Sequence, residues 1–328
     1  MKQHELAFKV LDILSNGKFH SGELMAKELG CSRVAIWKAL SEIKELKIPI
    51  FSVRNKGYRL PEAIFVLNKE KVLRSLGEIS QFIHLELNHV VESTNTVLSK
   101  NAANTPHATV MLTNLQTKGK GRRGRVWSSA LGESLTFSIL WKFNLGAAQL
   151  SGLSLAVGLA LQRVMQKIGL QNTCLKWPND LLVRGESGLS KLAGILIELQ
   201  GDLESRSSAV IGVGLNYTLS SGQQKKIDQP AIGLTSLLKD AQDPHEVLAM
   251  MIKEIIAILS VFEKSQFKEL KAEWLENNAF QNELIQINKS DGTTVRGRIV
   301  DLEDDGSLIL DQETGDQIRL NSGEISAV

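Results

Sequence analysis

The first part of the chain has apolar residues at helical spacing. They fall in three short runs, and turn residues separate one run from the next. Residues 5 to 15 form the first run, and its predicted apolar face consists of Leu6, Val10, Ile13 and Leu14. Ser21 and Ser32 stand where N-caps of a second and a third helix are expected, and Gly30 ends the second. Two short helices joined by such a tight turn predict a helix-turn-helix unit.

The third helix and the stretch after it carry the side chains expected to meet DNA. Residues 50 to 60 predict a β-hairpin, a basic wing along which Arg54, Lys56 and Arg59 lie. The predicted DNA-binding residues of helix and wing are Ser32, Arg33, Trp37, Lys38, Arg54 and Lys56. One module covers few base pairs, so a dimer on a two-part operator is expected. The alternative is a small helical docking module whose cations are only solvated.

Beyond Pro61 the pattern changes to alternating strands, interrupted by one long apolar helix over residues 149 to 168. Polar side chains stand at the ends of these strands and in their turns, which is how sites are commonly built. They are Gln116, Arg122, Asn179, Asp180, Lys191 and Asn216. Ser93 or Thr94 is also a plausible helix cap. From about residue 282, short strands and glycine turns predict a small β domain.

The segment Lys118 to Arg125 packs five cations and three glycines into eight residues. It matches neither the dinucleotide nor the phosphate-loop pattern in full, and no kinase motif follows it. Glycines expose backbone N–H groups and arginines add bidentate charge, so we expect an anion here. A solvated basic loop is the plainer alternative.

Composition narrows the class of protein. Of 328 residues, 43% are hydrophobic and 23% charged, as in soluble globular proteins of two or three domains. Residues 1 to 60 carry 11 Lys/Arg against 6 Asp/Glu, which makes the basic end the candidate nucleic-acid face. The two cysteines suggest neither a disulfide framework nor a zinc site. Without a signal peptide or a long apolar run, a cytoplasmic protein with no membrane partner is expected.

Five ordered motifs then carry a resemblance. They are Glu92-Ser-Thr-Asn95, the basic segment from Gln116 to Trp127, Lys176-Trp-Pro-Asn-Asp180, Lys191-Leu-Ala-Gly-Ile-Leu196 and Gly212-Val-Gly-Leu-Asn216. In this order they resemble the biotin protein ligase family, and the N-terminal unit resembles its bifunctional members, which also repress the biotin biosynthetic operon. The implied fold is α+β. A winged helix-turn-helix (1–62) would precede a central mixed-sheet catalytic domain with flanking helices (63–275) and a small C-terminal SH3-like β-barrel (276–328).

The resemblance implies the chemistry and the partners. Biotin and ATP, with Mg²⁺, would form biotinyl-5′-AMP, and biotin would pass to one lysine of the biotin carboxyl carrier protein of acetyl-CoA carboxylase. The adenylate would also be the corepressor, with a homodimer forming on operator DNA of the biotin biosynthetic genes. Two alternatives stay open: a ligand-sensing transcription factor with an inactive ligase domain, and a related lipoate-type acyl ligase.

Residue roles follow from the motifs. Lys191 and Arg122 would be catalytic, and Asp180 would serve Mg²⁺. Biotin would be bound by Ser93, Thr94, Asn95, Gln116, Gly119, Lys120, Gly121, Arg122, Lys191 and Gly194. ATP and the adenylate would be bound by Arg122, Arg125, Trp127, Lys176, Asn179, Asp180 and Asn216. Trp127 and Trp177 could equally be core packing. Lys120 replaces an arginine usual in the family, which removes a planar fork.

Overall fold

The computed structural model describes residues 4–201, 206–240, 242–289, 291–312 and 314–327. Its N-terminal unit has three helices and a two-stranded hairpin within the part described. These elements are α1 (Glu5–Leu14), α2 (Gly22–Glu28), α3 (Arg33–Glu45), β1 (Phe51–Val53) and β2 (Gly57–Arg59). The predicted helix-turn-helix with its hairpin is therefore present.

Local chemistry explains the N-terminal elements. The Ser21 hydroxyl accepts the Leu24 N–H at 3.1 Å, and the Ser32 hydroxyl accepts the Ala35 N–H at the same distance. Gly30 follows α2 with a φ of +61°, a conformation that favours glycine. The predicted apolar face of α1 does pack on the core of this unit: Val10 and Leu14 are buried, and Leu6 and Ile13 are partly buried against the same cluster. The residues that α1 buries are Ala7, Phe8, Val10, Leu11 and Leu14.

The central domain is built on a mixed sheet in the order β3-β5-β7-β11-β10-β9-β8 within the described residues. Its strands are β3 (His84–Leu87), β5 (Thr109–Thr113), β7 (Ser134–Phe143), β8 (Thr173–Lys176), β9 (Asp180–Gly185), β10 (Gly188–Gly201) and β11 (Ser207–Asn216). Within the described part of this sheet, β3 and β5 run parallel and the other neighbouring strands pair antiparallel. A short parallel pair, β4 (Val90–Val91) and β6 (Leu115–Gln116), lies beside it.

Helices flank this sheet. They are α4 (Lys69–Leu76), α5 (Thr94–Ser99), α6 (Leu153–Lys167), α7 (Ser221–Gln224), α8 (Pro244–Ser265) and α9 (Lys271–Glu276). Helices α6 and α8 pack their apolar faces into the same hydrophobic core as the buried side chains of the sheet. The predicted helix at 149–168 begins later, at Leu153, because Gly152 adopts a φ of +79° and interrupts it. No helix was predicted over α8, although Asp243 caps it and Pro244 opens it.

The C-terminal domain is an antiparallel sheet in the order β15-β14-β13-β12-β16 within the residues described. Its strands are β12 (Leu284–Asn288), β13 (Thr294–Leu302), β14 (Leu308–Asp311), β15 (Gln317–Leu320) and β16 (Glu324–Ala327). The sequence predicted the first four of these strands but not β16. The Trp177 indole N–H donates to the Gly306 carbonyl at 3.1 Å, which ties this domain to the central one. The predicted α+β fold class, with its SH3-like C-terminal domain, is confirmed.

Contacts also join the N-terminal unit to the central domain. The Phe8 ring on α1 stacks on His89, with centroids 4.3 Å apart and ring planes 4° from parallel. The Ile64 N–H donates to the Ser15 carbonyl at 2.8 Å. His89 is four residues before Ser93, so this contact lies beside one of the five motifs. Among the described residues, no helix has the length and apolarity that crossing a membrane requires.

Candidate active site and nucleic-acid interface

A cavity of about 480 Å³ lies against one face of strands β10 and β11. Its walls come from the basic segment 120–128, the turn between β8 and β9, residues 226–231 and the start of β16. Its size is in the range of small-molecule sites. The fold thus brings all five motifs, far apart along the chain, to one cavity.

One end of the cavity is neutral and polar. The backbone N–H and hydroxyl of Thr94 both donate to Gln116 Oε1, at 2.9 and 3.3 Å. Ser138 Oγ lies 2.6 Å from both Thr94 Oγ1 and Asn95 Oδ1. Ser93 is the N-cap residue of α5, yet its hydroxyl makes no capping hydrogen bond. These side chains satisfy one another by hydrogen bonds, so this end of the cavity is a neutral cluster of hydroxyl and amide groups.

A β-bulge shapes the floor of the cavity. Lys191 and Gly194 are three residues apart on β10, and in a regular strand they would point to opposite faces. The register of β10 against β9 shifts between Lys191 and Ala193, so β10 has one extra residue there that has no counterpart on β9. As a result a Cβ built on Gly194 would lie 3.1 Å from Lys191 Cε, so both residues face the same cavity.

Lys191 is held by an acidic partner at this floor. Its Nζ lies 2.7 Å from Asp180 Oδ1, and each side chain is only 13% exposed. Asn179, beside Asp180, donates to the Ile195 carbonyl at 2.8 Å and accepts from an Arg122 guanidinium nitrogen at 3.2 Å. The Asn216 amide donates to the Lys191 carbonyl at 3.2 Å. The Lys191 ammonium is therefore ion-paired with a buried carboxylate, while its backbone is tied to Asn216.

The other end of the cavity is cationic. Burial lowers the pKa of Arg122, and the nearby charge of Arg123 lowers it further. Burial likewise lowers the pKa of Lys176, which lines the same wall. A lowered pKa means that the charged form is disfavoured where it stands. Arg122, Arg125 and Lys176 all line this end of the cavity, and an anion among them would stabilise their charged forms, so phosphate or carboxylate is favoured here.

The C-terminal domain closes this cationic end through Glu324 on β16. Arg125 donates to Glu324 Oε1, and an Arg123 nitrogen lies 3.8 Å from Oε2. Burial alone would raise the pKa of Glu324, but the hydrogen bond and charge of Arg125 outweigh it and lower that pKa. The basic segment is therefore anchored to the third domain, a partner that its own sequence did not indicate.

Trp127 lies over a platform of two glycines that pair across β10 and β11, Gly194 and Gly214. A Cβ on Gly214 would come closer than 3.0 Å to the indole, and one on Gly194 would come within 3.1 Å of it. Lys191 Nζ is 5.8 Å from the ring centroid, within reach of a cation–π interaction. The glycines thus provide the space that a flat group needs against the sheet.

Most of the ligand residues predicted from the sequence line the cavity. They are Ser93, Thr94, Asn95, Gln116, Lys120, Gly121, Arg122, Arg125, Trp127, Lys176, Asn179, Asp180, Lys191, Gly194 and Asn216. Gly119 does not line it: its carbonyl accepts the Trp127 N–H at 3.0 Å, behind the cavity wall. Lys120, the departure from the usual arginine, has its Nζ 3.8 Å from Glu198 Oε1.

The six predicted DNA-binding side chains belong to residues that are all exposed on α3, at its cap or on the hairpin. Ser32 is also the helix cap, so its oxygen is engaged with the Ala35 N–H. Arg59 differs from its hairpin neighbours. Its guanidinium carbon is 5.2 Å from the ring centroids of both Phe19 and Phe51, so it braces the hairpin rather than projecting from it.

Comparisons with known proteins agree on the family. Residues 87–216 match the model of the biotin/lipoate A/B protein ligase family. Residues 7–59 match an HTH domain, and residues 282–328 match the biotin protein ligase C terminal domain. The bifunctional ligase/repressor BirA of Escherichia coli is 32% identical over 330 residues, covering 99% of this chain and 100% of that protein. The chain belongs to this family of bifunctional biotin protein ligases.

Two further relatives support the central and C-terminal parts. A biotin–[acetyl-CoA-carboxylase] ligase of Mycobacterium tuberculosis is 31% identical, covering 74% of this chain and 89% of its own length. The solved structure of the Aquifex aeolicus biotin protein ligase in complex with biotin and ATP has a TM-score of 0.62 at 29% identity. It covers 74% of this chain and 97% of the Aquifex chain. The mixed-sheet core is thus the one on which biotin ligases are built.

Sequence reasoning missed several residues of this biotin ligase site. Glu324 comes from a strand that was not predicted. Ser138 follows Ser134 and Thr136 at alternate positions of β7, a polar stripe that is visible in the sequence but was not singled out. Residues 226–231 form a wall tied to Lys191, whose N–H donates to the Pro230 carbonyl at 2.9 Å. The run of polar residues near 225 could have predicted a loop, but it could not have predicted that this loop lies against the cavity. Only the folded chain places these groups together.

Replacing Gly214 by alanine is expected to weaken ligand binding. The new Cβ would displace the Trp127 indole into the cavity, and overpacking of this kind costs about 1–3 kcal/mol. That is roughly a 5- to 150-fold change in a dissociation constant. Isothermal titration calorimetry with biotin and with ATP measures it.

The matched control for this change is Gly185→Ala on β9. The nearest atom to a Cβ there is 3.8 Å away, an ordinary contact. It should bind both ligands as the wild type does. Unchanged affinity of Gly214→Ala for both ligands would show that the indole does not need its glycine platform.

Proposed function

We propose that this chain activates biotin with ATP to biotinyl-5′-AMP and transfers biotin to one lysine of the biotin carboxyl carrier protein of acetyl-CoA carboxylase. The observation that supports it most is the cavity itself. A neutral polar end at Thr94 and Gln116 adjoins a cationic end at Arg122 and Lys176, with Lys191 between them. Biotin has a neutral ureido ring and a carboxylate, and ATP is a polyanion. The two ends match these two substrates.

The proposed reaction needs no nucleophile from the protein. A biotin carboxylate oxygen forms a bond to the α-phosphorus while the bond to the β-phosphate oxygen breaks, and pyrophosphate leaves. The carrier lysine amine then attacks the acyl carbon, AMP leaves, and the amine loses a proton. Charge grows on the α-phosphate oxygens in the first step, so Lys191 and Arg122 would act by preorganised electrostatics and positioning.

Magnesium would come with ATP as part of the substrate. Among the described residues, no group of three His, Cys, Asp or Glu side chains could hold a metal ion. Magnesium in nucleotide sites commonly takes one or two carboxylates together with phosphate oxygens, and Asp180 lines the cavity. We propose that the Asp180 carboxylate, which is ion-paired with Lys191, would also serve this ion. The charge it supplies would offset that of the triphosphate.

We also propose that the same chain represses the biotin biosynthetic genes. Its N-terminal unit would bind the operator, and the adenylate would act as corepressor by favouring a homodimer. Carrier protein, which consumes the adenylate, would relieve repression. The coupling is a differential affinity of two states for one ligand. The HTH match and the full-length similarity to a ligase/repressor support this second activity.

The first experiment combines the purified protein with biotin and Mg-ATP. Pyrophosphate release is measured, and mass spectrometry looks for bound biotinyl-AMP. We expect both, and we expect neither when lipoate replaces biotin. Biotin binding without adenylate would identify a ligand sensor with an inactive domain instead. Adenylation of lipoate in preference to biotin would identify the lipoate-type branch of the family.

The basic segment Lys118–Arg125 is expected to gain order when the adenylate binds. Its cations pair with Glu92, Glu198 and Glu324 at the segment's edges, and the adenylate phosphate would add one anion that several of them share. Each of these cations is also a trypsin site. Trypsin digestion with and without biotin plus Mg-ATP, followed by peptide mass mapping, tests this. We expect protection of residues 118–125 with ligands, while cleavage after the exposed Lys264 on α8 serves as the internal control. Equal cleavage of residues 118–125 in both samples would contradict ordering by the ligand.

A further inference from the structure

The outer face of α3 carries two large apolar side chains that the domain core does not use. Val34 and Trp37 are each 63% exposed. The side of the helix that is buried consists of Ile36, Ala39, Leu40 and Ile43. An exposed apolar patch rimmed by polar residues marks an interaction site. Val34 and Trp37 together therefore form a candidate contact surface, and the charges around them indicate the kind of partner.

The rim of this patch is cationic. Arg33 and Lys38 are exposed beside Val34 and Trp37 on α3, and Arg54 and Lys56 are exposed on the hairpin that follows. Residues 1 to 60 carry 11 Lys/Arg against 6 Asp/Glu. Such a rim is complementary to the phosphates on both sides of a groove in duplex DNA. The positive charges around Val34 and Trp37 therefore favour DNA as the partner of this patch.

The bases offer these side chains a limited set of atoms. Valine has no hydrogen-bonding group, and tryptophan has one donor on a broad apolar ring. In the major groove, the apolar group that a base presents is the 5-methyl of thymine. Val34 is the second and Trp37 the fifth residue of α3. The first turns of a recognition helix are the part that meets base edges.

We propose that Val34 and Trp37 recognise thymine methyl groups in the major groove and so set the base preference of each half-site. The inference rests on the proposed DNA-binding function. Arg54 and Lys56 would hold the phosphates, while Arg59, between Phe19 and Phe51, keeps the hairpin in place. Base preference would then come from apolar contact, with the cations supplying affinity without sequence information.

The test uses the full-length protein with biotin and Mg-ATP and a library of random-sequence duplexes. Bound duplexes are recovered and sequenced, and the preferred one is then synthesised with deoxyuridine in place of each thymine in turn, which removes only the methyl group. Losing one buried methyl contact should weaken binding about fourfold. Replacing the equivalent thymine in both half-sites should weaken it about 15-fold.

Variants assign the methyl contact to its residue. With Val34→Ala or Trp37→Ala, the ratio of affinities for thymine and deoxyuridine duplexes should fall toward one at the thymine each contacts. Leu24→Ala is the matched control, since Leu24 is 64% exposed on the neighbouring α2. Its ratio should stay at the wild-type value. Thermal unfolding of each variant, followed by circular dichroism and compared with the wild type, shows that the protein is folded. Biotinyl-AMP formation shows that each variant still makes the proposed corepressor.

The outcomes separate the two proposals. If no duplex is enriched, the repressor function fails and this inference fails with it. If a duplex is enriched but no thymine responds to deoxyuridine, DNA binding stands and methyl recognition is wrong. A methyl effect that persists in both Val34→Ala and Trp37→Ala would also overturn the inference, because another side chain would then contact the methyl.

Discussion

Lys191→Ala is expected to slow biotinyl-AMP formation by about 10²- to 10³-fold, the cost of losing one preorganised donor from a buried site. Lys191 is held 2.7 Å from Asp180 on the cavity floor, and both side chains are largely buried. Removing the amine takes away the charge that would meet the growing negative charge on the α-phosphate oxygens. It also leaves Asp180 as an unpaired acid facing an anionic substrate. Single-turnover formation of biotinyl-AMP, with both substrates saturating, measures the effect on chemistry.

The matched control is Lys167→Ala, which removes the same charge from an ion pair with Glu254, and neither of these residues lines the cavity. It should keep the wild-type rate. Operator binding by the N-terminal unit should survive in Lys191→Ala wherever it does not depend on the adenylate. A Lys191→Ala rate within threefold of wild type would remove the lysine from the proposed mechanism and point to Arg122 or Lys176 instead.

Charge removal on the hairpin is expected to change how DNA binding depends on salt. A protein that contacts 6–10 phosphates loses about 10³- to 10⁵-fold in affinity between 50 and 200 mM salt. Arg54→Ala/Lys56→Ala would remove two phosphate contacts per protomer and four per dimer. The slope of log K against log[salt] should then become less steep by about 3.6 for a dimer and about 1.8 for a monomer. Fluorescence anisotropy on a labelled duplex over a salt series measures the slope.

The control is the double variant Lys264→Ala/Lys268→Ala. It removes two exposed lysines of the central domain and so changes the net charge by as much as the hairpin variant does. Its slope should equal that of the wild type. The size of the change also reports how many protomers bind, so one titration tests both the wing and the proposed dimer. If the slope of the hairpin variant does not change, Arg54 and Lys56 do not contact phosphates, and the cations of α3 carry the affinity.

Both predictions depend on how separate the two activities are. The cavity is built from the central and C-terminal domains, and the predicted DNA-binding residues all lie in the first sixty residues. The contact between them includes the stack of Phe8 on His89, a few residues before the Ser93–Asn95 motif. Variants in one domain should therefore leave the chemistry of the other intact, while coupling through the adenylate needs both.

The pattern along the chain was sufficient for the elements whose causes are local. Serine caps, turn glycines and helical spacing gave the helix-turn-helix and its hairpin, and alternation gave most strands of both sheets. The five motifs, through their resemblance, gave the fold class and the family. Local signals also sufficed in principle for α8, because Asp243 and Pro244 open it with a capping pattern. That helix was missed although its start signal is present in the sequence.

The alternation of apolar and polar residues could not predict which side chains meet in the cavity. Lys191 and Gly194 face the same cavity because a bulge between Lys191 and Ala193 shifts the alternation of side chains along β10 by one residue. Such a bulge depends on the pairing with the neighbouring strand. Glu324 reaches Arg125 across 199 positions of sequence because β16 pairs with β12 in the third domain. Spacing along a chain determines local conformation, whereas register between strands and docking between domains depend on contacts made at long range. The motifs identify the chemistry, and the tertiary structure decides which side chains face one another to perform it.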